Sequence, residues 1–192
     1  MIKVFDSLLE RKLKKEKSDR NFLLVIVLIT TAILIVAILN TYVFFNVEVV
    51  GDSMNPTLNS GDLLVANRKT TPKQGDIVII QGEKGNAWLI KRVIAKEGQS
   101  VGIHDGYVFV DGEKLDEPYV IKDGATKAID WQERTLDSGE IFYLGDNRVN
   151  SSDSRTATYG TCTEDQIVGV IESWSFRAKE LRGRLYGTIK GD

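Results

Sequence analysis

From Phe22 to Phe45 the chain runs for 24 residues without one charged side chain, and only Thr30, Thr31, Asn40 and Thr41 are polar. As a helix rising about 1.5 Å per residue, such a run reaches roughly 36 Å, enough to cross a hydrocarbon core of about 30 Å with some tilt. A cleavable signal peptide is the main rival, but its apolar region is only about 7–15 residues long. Here Tyr42-Val43-Phe44-Phe45 closes the run, where a small-residue cleavage pattern would be needed. A buried core helix would show a polar stripe, and this run has none. The expectation is one retained transmembrane helix over residues 21–46.

The flanks orient it. Residues 1–20 carry seven bases and four acids, whereas the first bases after the run are Arg68 and Lys69. Basic residues stay on the cytoplasmic side. The expected organisation is a cytoplasmic basic segment (1–20), the transmembrane helix (21–46) and an extracytoplasmic domain (47–192), single-pass in the cell membrane. The C-terminal Arg177–Asp192 segment is charged, so no second span is expected there.

The remaining 146 residues form one domain at most, and the pattern is β. Short apolar runs recur at Val47–Val50, Leu63–Ala66, Asp76–Ile80, Trp88–Ala95, Tyr107–Val110, Ile141–Leu144 and Ile167–Ile171, separated by Gly- and Asp-bearing turns. Tyr107–Val110 followed by Asp111-Gly112 is a two-residue hairpin signal. No long segment after the apolar run has a 3.6-residue period. The fold expectation is mainly β, an antiparallel sheet domain behind one N-terminal helix, with the polar stretch 111–140 as an excursion from the core.

Several chemistries drop out. One cysteine (Cys162) and one histidine (His104) exclude clustered Cys or His metal sites, and a Ser-His-Asp triad would have one possible base. A net charge of -2 offers no general attraction to nucleic acid. No GxxxxGK[ST] loop, strand-following GxGxxG, GxSxG elbow or SxxK signature is present.

Three segments do carry chemistry. Ser53 stands in Val50-Gly51-Asp52-Ser53-Met54-Asn55-Pro56-Thr57-Leu58, which taken alone also reads as a turn linking the apolar run to the domain. Lys91 falls on the apolar face of Leu89, Val93 and Ala95 under strand alternation. Burying an ammonium is costly, so such a lysine either snorkels to water from an edge strand or loses its proton readily and serves as a base. The stretch from Leu144 to Arg155 is dense in Asp, Asn, Arg and Ser; it suits a solvated loop or a network of charge-assisted hydrogen bonds equally well.

In order along the chain, these segments resemble the bacterial type I signal peptidases, membrane-anchored proteases with a Ser–Lys dyad. The resemblance rests on Ser53-Met54-Asn55-Pro56-Thr57-Leu58, Gly75-Asp76-Ile77-Val78, Lys91-Arg92-Val93-Ile94 and the GDNRxxSxDSR run from Gly145 to Arg155. It covers the apolar run and most of residues 47–171, and is nearest the compact single-anchor forms of Gram-positive bacteria. By resemblance, Ser53 is the nucleophile, Lys91 the general base, and Ser151 orients the Lys91 amine. Arg92, Asp146, Arg148, Asp153 and Arg155 form a supporting network, and Met54 lies near the substrate. The oxyanion would be held by backbone N–H groups of Ser53 and Gly51. The implied reaction removes N-terminal signal peptides from exported preproteins after small residues at -1 and -3.

No metal or organic cofactor is implied. Implied partners are signal peptides, the lipid bilayer and the secretion machinery, with no nucleic acid. A membrane-tethered pilus-assembly or binding protein of the same fold, with a dedicated client or a dormant dyad, is the alternative. A self-cleaving repressor-type Ser–Lys protease is disfavoured by the apolar run. His104, outside the boxes, is expected at the surface, and Cys162 as a buried or idle thiol.

Overall fold

The computed structural model describes residues 2–82, 88–121 and 126–175, the backbone alone for residues 2–10 and 13. The chain divides into two compact units, Met1–Val43 and Phe44–Asp192.

The first unit is one helix, α1 (Ile2–Val43). It begins well before the apolar run because the Leu-, Lys- and Glu-rich basic segment is itself a good helix former. Its Lys14–Val43 part is long and apolar enough to cross a membrane. The threonines are compatible with that, since each hydroxyl donates back to its own helix: Thr30 to Ile26 O at 3.0 Å, Thr31 to Val27 O at 2.7 Å and Thr41 to Ala37 O at 2.9 Å.

The helix stops at Val43, two residues short of the end of the apolar run. Phe44–Glu48 is instead the first strand, β1, because Phe45 and Val47 pack against a buried apolar cluster and the backbone pairs with β2 (Leu63–Asn67). The other strands are β3 (Ile77–Ile80), β4 (Leu89–Lys96), β5 (Ser100–His104), β6 (Tyr107–Val110), β7 (Glu113–Lys114), β8 (Arg134–Thr135), β9 (Glu140–Leu144), β10 (Cys162–Thr163) and β11 (Ile167–Ile171). All pair antiparallel, in a seven-stranded sheet of order β1-β2-β11-β3-β4-β9-β10 and a four-stranded sheet of order β7-β6-β5-β8. The domain is mainly antiparallel β, as expected.

All seven expected apolar runs contain strands. The unexpected strands have local reasons: β7, β8 and β10 are two residues long, and β5 carries Gly102, which weakens a strand signal. The hairpin at Asp111-Gly112 forms, with both turn residues at positive φ (53° and 80°) and Val110 opposite Glu113.

One apolar cluster lies among β1, β2, β3 and β11 and takes in Met54 and Leu58 from the loop between β1 and β2. A second gathers Ile94, Ala95, Phe142 and Leu144 with Val101, Val108, Val110 and Leu136, joining the two sheets. A third holds Val78, Val93, Ile141, Tyr143 and Cys162 on the β3–β4–β9–β10 part of the large sheet.

The 111–140 stretch departs from the large sheet but is tied back to the domain. Leu136 is buried, and Trp131 donates to Val101 O at 3.1 Å and packs on Phe142. The charged Arg177–Asp192 segment lies outside the described residues.

Candidate active site

Ser53 sits in the loop between β1 and β2, held from below by two apolar plugs: Met54 and Leu58, 1% and 0% exposed. Backbone bonds close the loop, from Leu58 N to Met54 O (2.9 Å) and from Gly61 N to Val49 O (2.8 Å). Ser53 itself is half-buried.

Lys91 arrives from β4, which lies between β3 and β9. Alternation holds through Leu89, Lys91 and Val93, with Lys91 opposite Val78. A bulge between Val93 and Ala95 then turns Ala95, with Ile94, into the cluster between the sheets, so Ala95 does not share that face. Lys91 is 3% exposed. Its Nζ lies 2.8 Å from Ser53 Oγ and 3.1 Å from Ile90 O. Burial lowers the amine from its usual 10.5 to about 8, with the charges of Asp153 and Asp146 partly opposing the fall. A large fraction of this lysine is therefore neutral at mildly alkaline pH.

The polar run after β9 wraps the pair. Arg92 donates to Asp146 through Nε (2.8 Å) and Nη2 (2.6 Å), and to Gly75 O (2.7 Å). Thr57, in the Ser53 loop, donates to the same carboxylate at 2.5 Å. Arg155 makes the matching two-point contact to Asp153 (2.7 and 2.9 Å) and reaches Arg148 O at 2.8 Å, while Asp153 also accepts from Gly145 N. Both pairs are bidentate and their carboxylates are fully buried, a geometry that holds a loop in one conformation.

Two contacts lock this run onto the Ser53 loop: Asn147 N donates to Ser53 O and Asn147 Nδ2 to Asp52 O, both at 3.0 Å. Gly145 lies so close that a Cβ there would collide with Ser151 Oγ and with Ser53 O, the latter at 2.5 Å.

Ser53, Lys91, Arg92, Asp146, Arg148, Asp153 and Arg155 are thus brought together. Two expectations need correction. Ser151 Oγ is buried with no hydrogen-bond partner among the described residues, so it does not bond Lys91; the amine faces Ser53 Oγ and Ile90 O, while Ser151 packs under Gly145. Gly51 N donates to Ser60 Oγ at 3.3 Å and is not free to meet an oxyanion. Met54, next to Ser53, is buried in the apolar cluster beneath the loop.

The Ser53 N–H has no acceptor among the described residues. His104 is exposed and paired with Glu133, and Cys162 is buried, its thiol pushed up to about 12 by that burial.

Several site residues escaped the sequence reading: Thr57 and Asn147, and from the polar 111–140 stretch Glu117, Tyr119 and Thr126. A signal existed for one of them. The run from Gly145 to Arg155 pairs its carboxylates with Arg92 and Arg155, leaving the buried Arg148 in need of an acid from elsewhere.

A family model described as signal peptidase, peptidase S26, matches residues 22–176. The chain belongs to this family. Among its relatives, signal peptidase I T of Bacillus subtilis (strain 168) is 35% identical over 165 residues, covering 80% of this chain and 85% of that protein. Signal peptidase I of Bacillus caldolyticus is 36% identical over 163 residues, covering 76% and 88%. Signal peptidase I P of Bacillus subtilis subsp. natto is 33% identical over 181 residues, covering 88% and 97%. A crystal structure of a signal peptidase I from Enterococcus faecalis V583 is 26% identical with a TM-score of 0.45, covering 54% of this chain and 98% of that one. As a member of peptidase S26 the chain is a serine endopeptidase.

Proposed function

We propose that this protein removes N-terminal signal peptides from exported preproteins, with Ser53 as nucleophile and Lys91 as general base. The observation that carries the proposal is the 2.8 Å contact between Ser53 Oγ and the Nζ of a lysine that is 3% exposed. Neutral Lys91 accepts the Ser53 proton as Oγ attacks the carbonyl of the residue at -1. Charge develops on that oxygen, and the unengaged Ser53 N–H is the donor the site offers it. The ammonium then returns the proton to the leaving amine. An acyl-enzyme remains, and the regenerated amine draws a proton from the water that hydrolyses it. Small residues at -1 and -3 are the expected recognition signal.

α1 anchors the enzyme in the bilayer through Lys14–Val43, and its basic N-terminal part places that end in the cytoplasm. The β domain then faces the outer side, where a signal peptide delivered by the export machinery emerges. The peptidase relatives favour this over the binding-protein alternative.

The test is cleavage of a secretory preprotein in detergent by wild type, Ser53→Ala and Lys91→Ala, with the product N-terminus sequenced. A cut after a small-x-small site, abolished in both variants, is expected. Cutting that survives Ser53→Ala would overturn the assignment.

A further inference from the structure

Of the three arginines around the candidate site, Arg92 and Arg155 find their carboxylates within the family boxes. Arg148, whose side chain is 0% exposed, finds its own 31 positions away. Its Nη2 donates to Glu117 Oε1 at 2.5 Å, and its Nη1 to Glu117 Oε2 at 3.0 Å and to Thr126 Oγ1 at 2.9 Å. Two residues on, Tyr119 donates its hydroxyl to Glu117 Oε1 at 3.1 Å, and the Arg92 guanidinium carbon lies 3.9 Å from its ring centre. One short segment between β7 and β8 thus touches the guanidinium groups of both Arg92 and Arg148.

We propose that Glu117, braced by Tyr119, is a positioning residue for the Ser53–Lys91 pair. This deepens the proposed function and rests on the dyad reading. The route runs through the inner side of the turn after β9. Arg148 Nε donates to Gly145 O at 3.0 Å, Gly145 packs against Ser53 O, and Asn147 N donates to that same oxygen. Arg148 therefore pins the turn that holds the nucleophile's backbone, and Glu117 supplies the only carboxylate that pairs with Arg148 among the described residues. Without it a full charge is buried unpaired, which a protein relieves by moving the guanidinium toward water. That movement pulls Gly145 and Asn147 with it. A shift of about 1 Å in a reacting group costs on the order of 100-fold in rate. A merely structural ion pair would instead change how much enzyme is folded, and leave the turnover of the folded enzyme alone.

The experiment uses the full chain in detergent with a secretory preprotein. It compares wild type, Glu117→Gln, Glu117→Asp and Ser53→Ala, and repeats Glu117→Gln in an Arg148→Met background. Rates are taken at a temperature where circular dichroism shows each variant folded. Glu117→Gln is expected to lower kcat by about tenfold with KM within about threefold, because an interaction that orients the nucleophile is lost. Glu117→Asp, which keeps the charge, recovers part of that loss. With Arg148 already removed, Glu117→Gln costs less than about twofold, since coupled residues are not additive.

An unchanged kcat in folded Glu117→Gln overturns the proposal, as does an equal loss in the Arg148→Met background. Should Arg148→Met not fold, the split between kcat and KM and the recovery by aspartate decide. Failure of the dyad reading is recognisable separately: Ser53→Ala would then cut like wild type, and the positioning role would fall with it.

Discussion

Lys91 holds the ionisation on which the proposed chemistry depends. Burial brings its pKa to about 8, so on a simple titration about one molecule in ten carries the neutral amine at pH 7 and about half at pH 8. The neutral form is the base. kcat/KM is therefore expected to rise about tenfold per pH unit on the acid side and to level off above roughly pH 8. A profile flat from pH 5 to 9 in preprotein cleavage assays would contradict the role. Lys91→Arg is expected to be as inactive as Lys91→Ala, because a guanidinium keeps its proton at any pH the assay can reach. The neighbouring carboxylates Asp153 and Asp146 hold the amine's pKa up against burial. They also occupy Arg155 and Arg92, so the loop's charges are largely spent on one another.

At the scale of elements, two glycines separate a steric demand from a torsional one. Gly145 follows β9 with no room for a methyl group between Ser151 and the Ser53 carbonyl. Gly145→Ala is expected to push the turn off the nucleophile and cut activity by about 100-fold or more, while far-ultraviolet circular dichroism still reports a folded β domain. Gly112, in the hairpin between β6 and β7, has open space around it but a φ of 80°. Gly112→Ala is expected to cost about 1 kcal/mol of stability, seen as a lower Tm, with kcat unchanged. Equal effects of the two substitutions on activity would mean that neither reading of the loops is right.

At the scale of the whole molecule, the two units do different work. The β domain has its own apolar clusters and closes its site from the β1–β2 loop, β4, the loop after β9 and the 111–140 stretch. α1 leaves large apolar side chains from Phe22 to Leu39 exposed, as a bilayer-facing helix would. A chain beginning at Tyr42 is expected to fold and to cleave short signal-sequence peptides with kcat within about tenfold of the full chain, its catalytic groups being intact. Its partition into lipid vesicles, read by flotation, should be lost, because the apolar span is gone. Vesicle binding as strong as that of the intact protein would show that the helix is not the main anchor.

The sequence alone determined what depends on local pattern. Its uncharged run specified a long apolar helix, its alternating runs specified strands, and the order of the boxes marked Ser53, Lys91 and the Gly145–Arg155 loop. Tertiary structure decided what depends on the path of the chain between them. Strand pairing β1 with β2 ended the helix at Val43, because Phe45 and Val47 had a cluster to join. Packing made Met54 a core plug and set Ser151 beneath Gly145, out of hydrogen-bonding contact with Lys91. It also chose Glu117 as the carboxylate for Arg148. Periodicity reports which face a residue takes within its own element. Which buried charge meets which partner is settled by contacts between residues dozens of positions apart, and no local pattern encodes that distance.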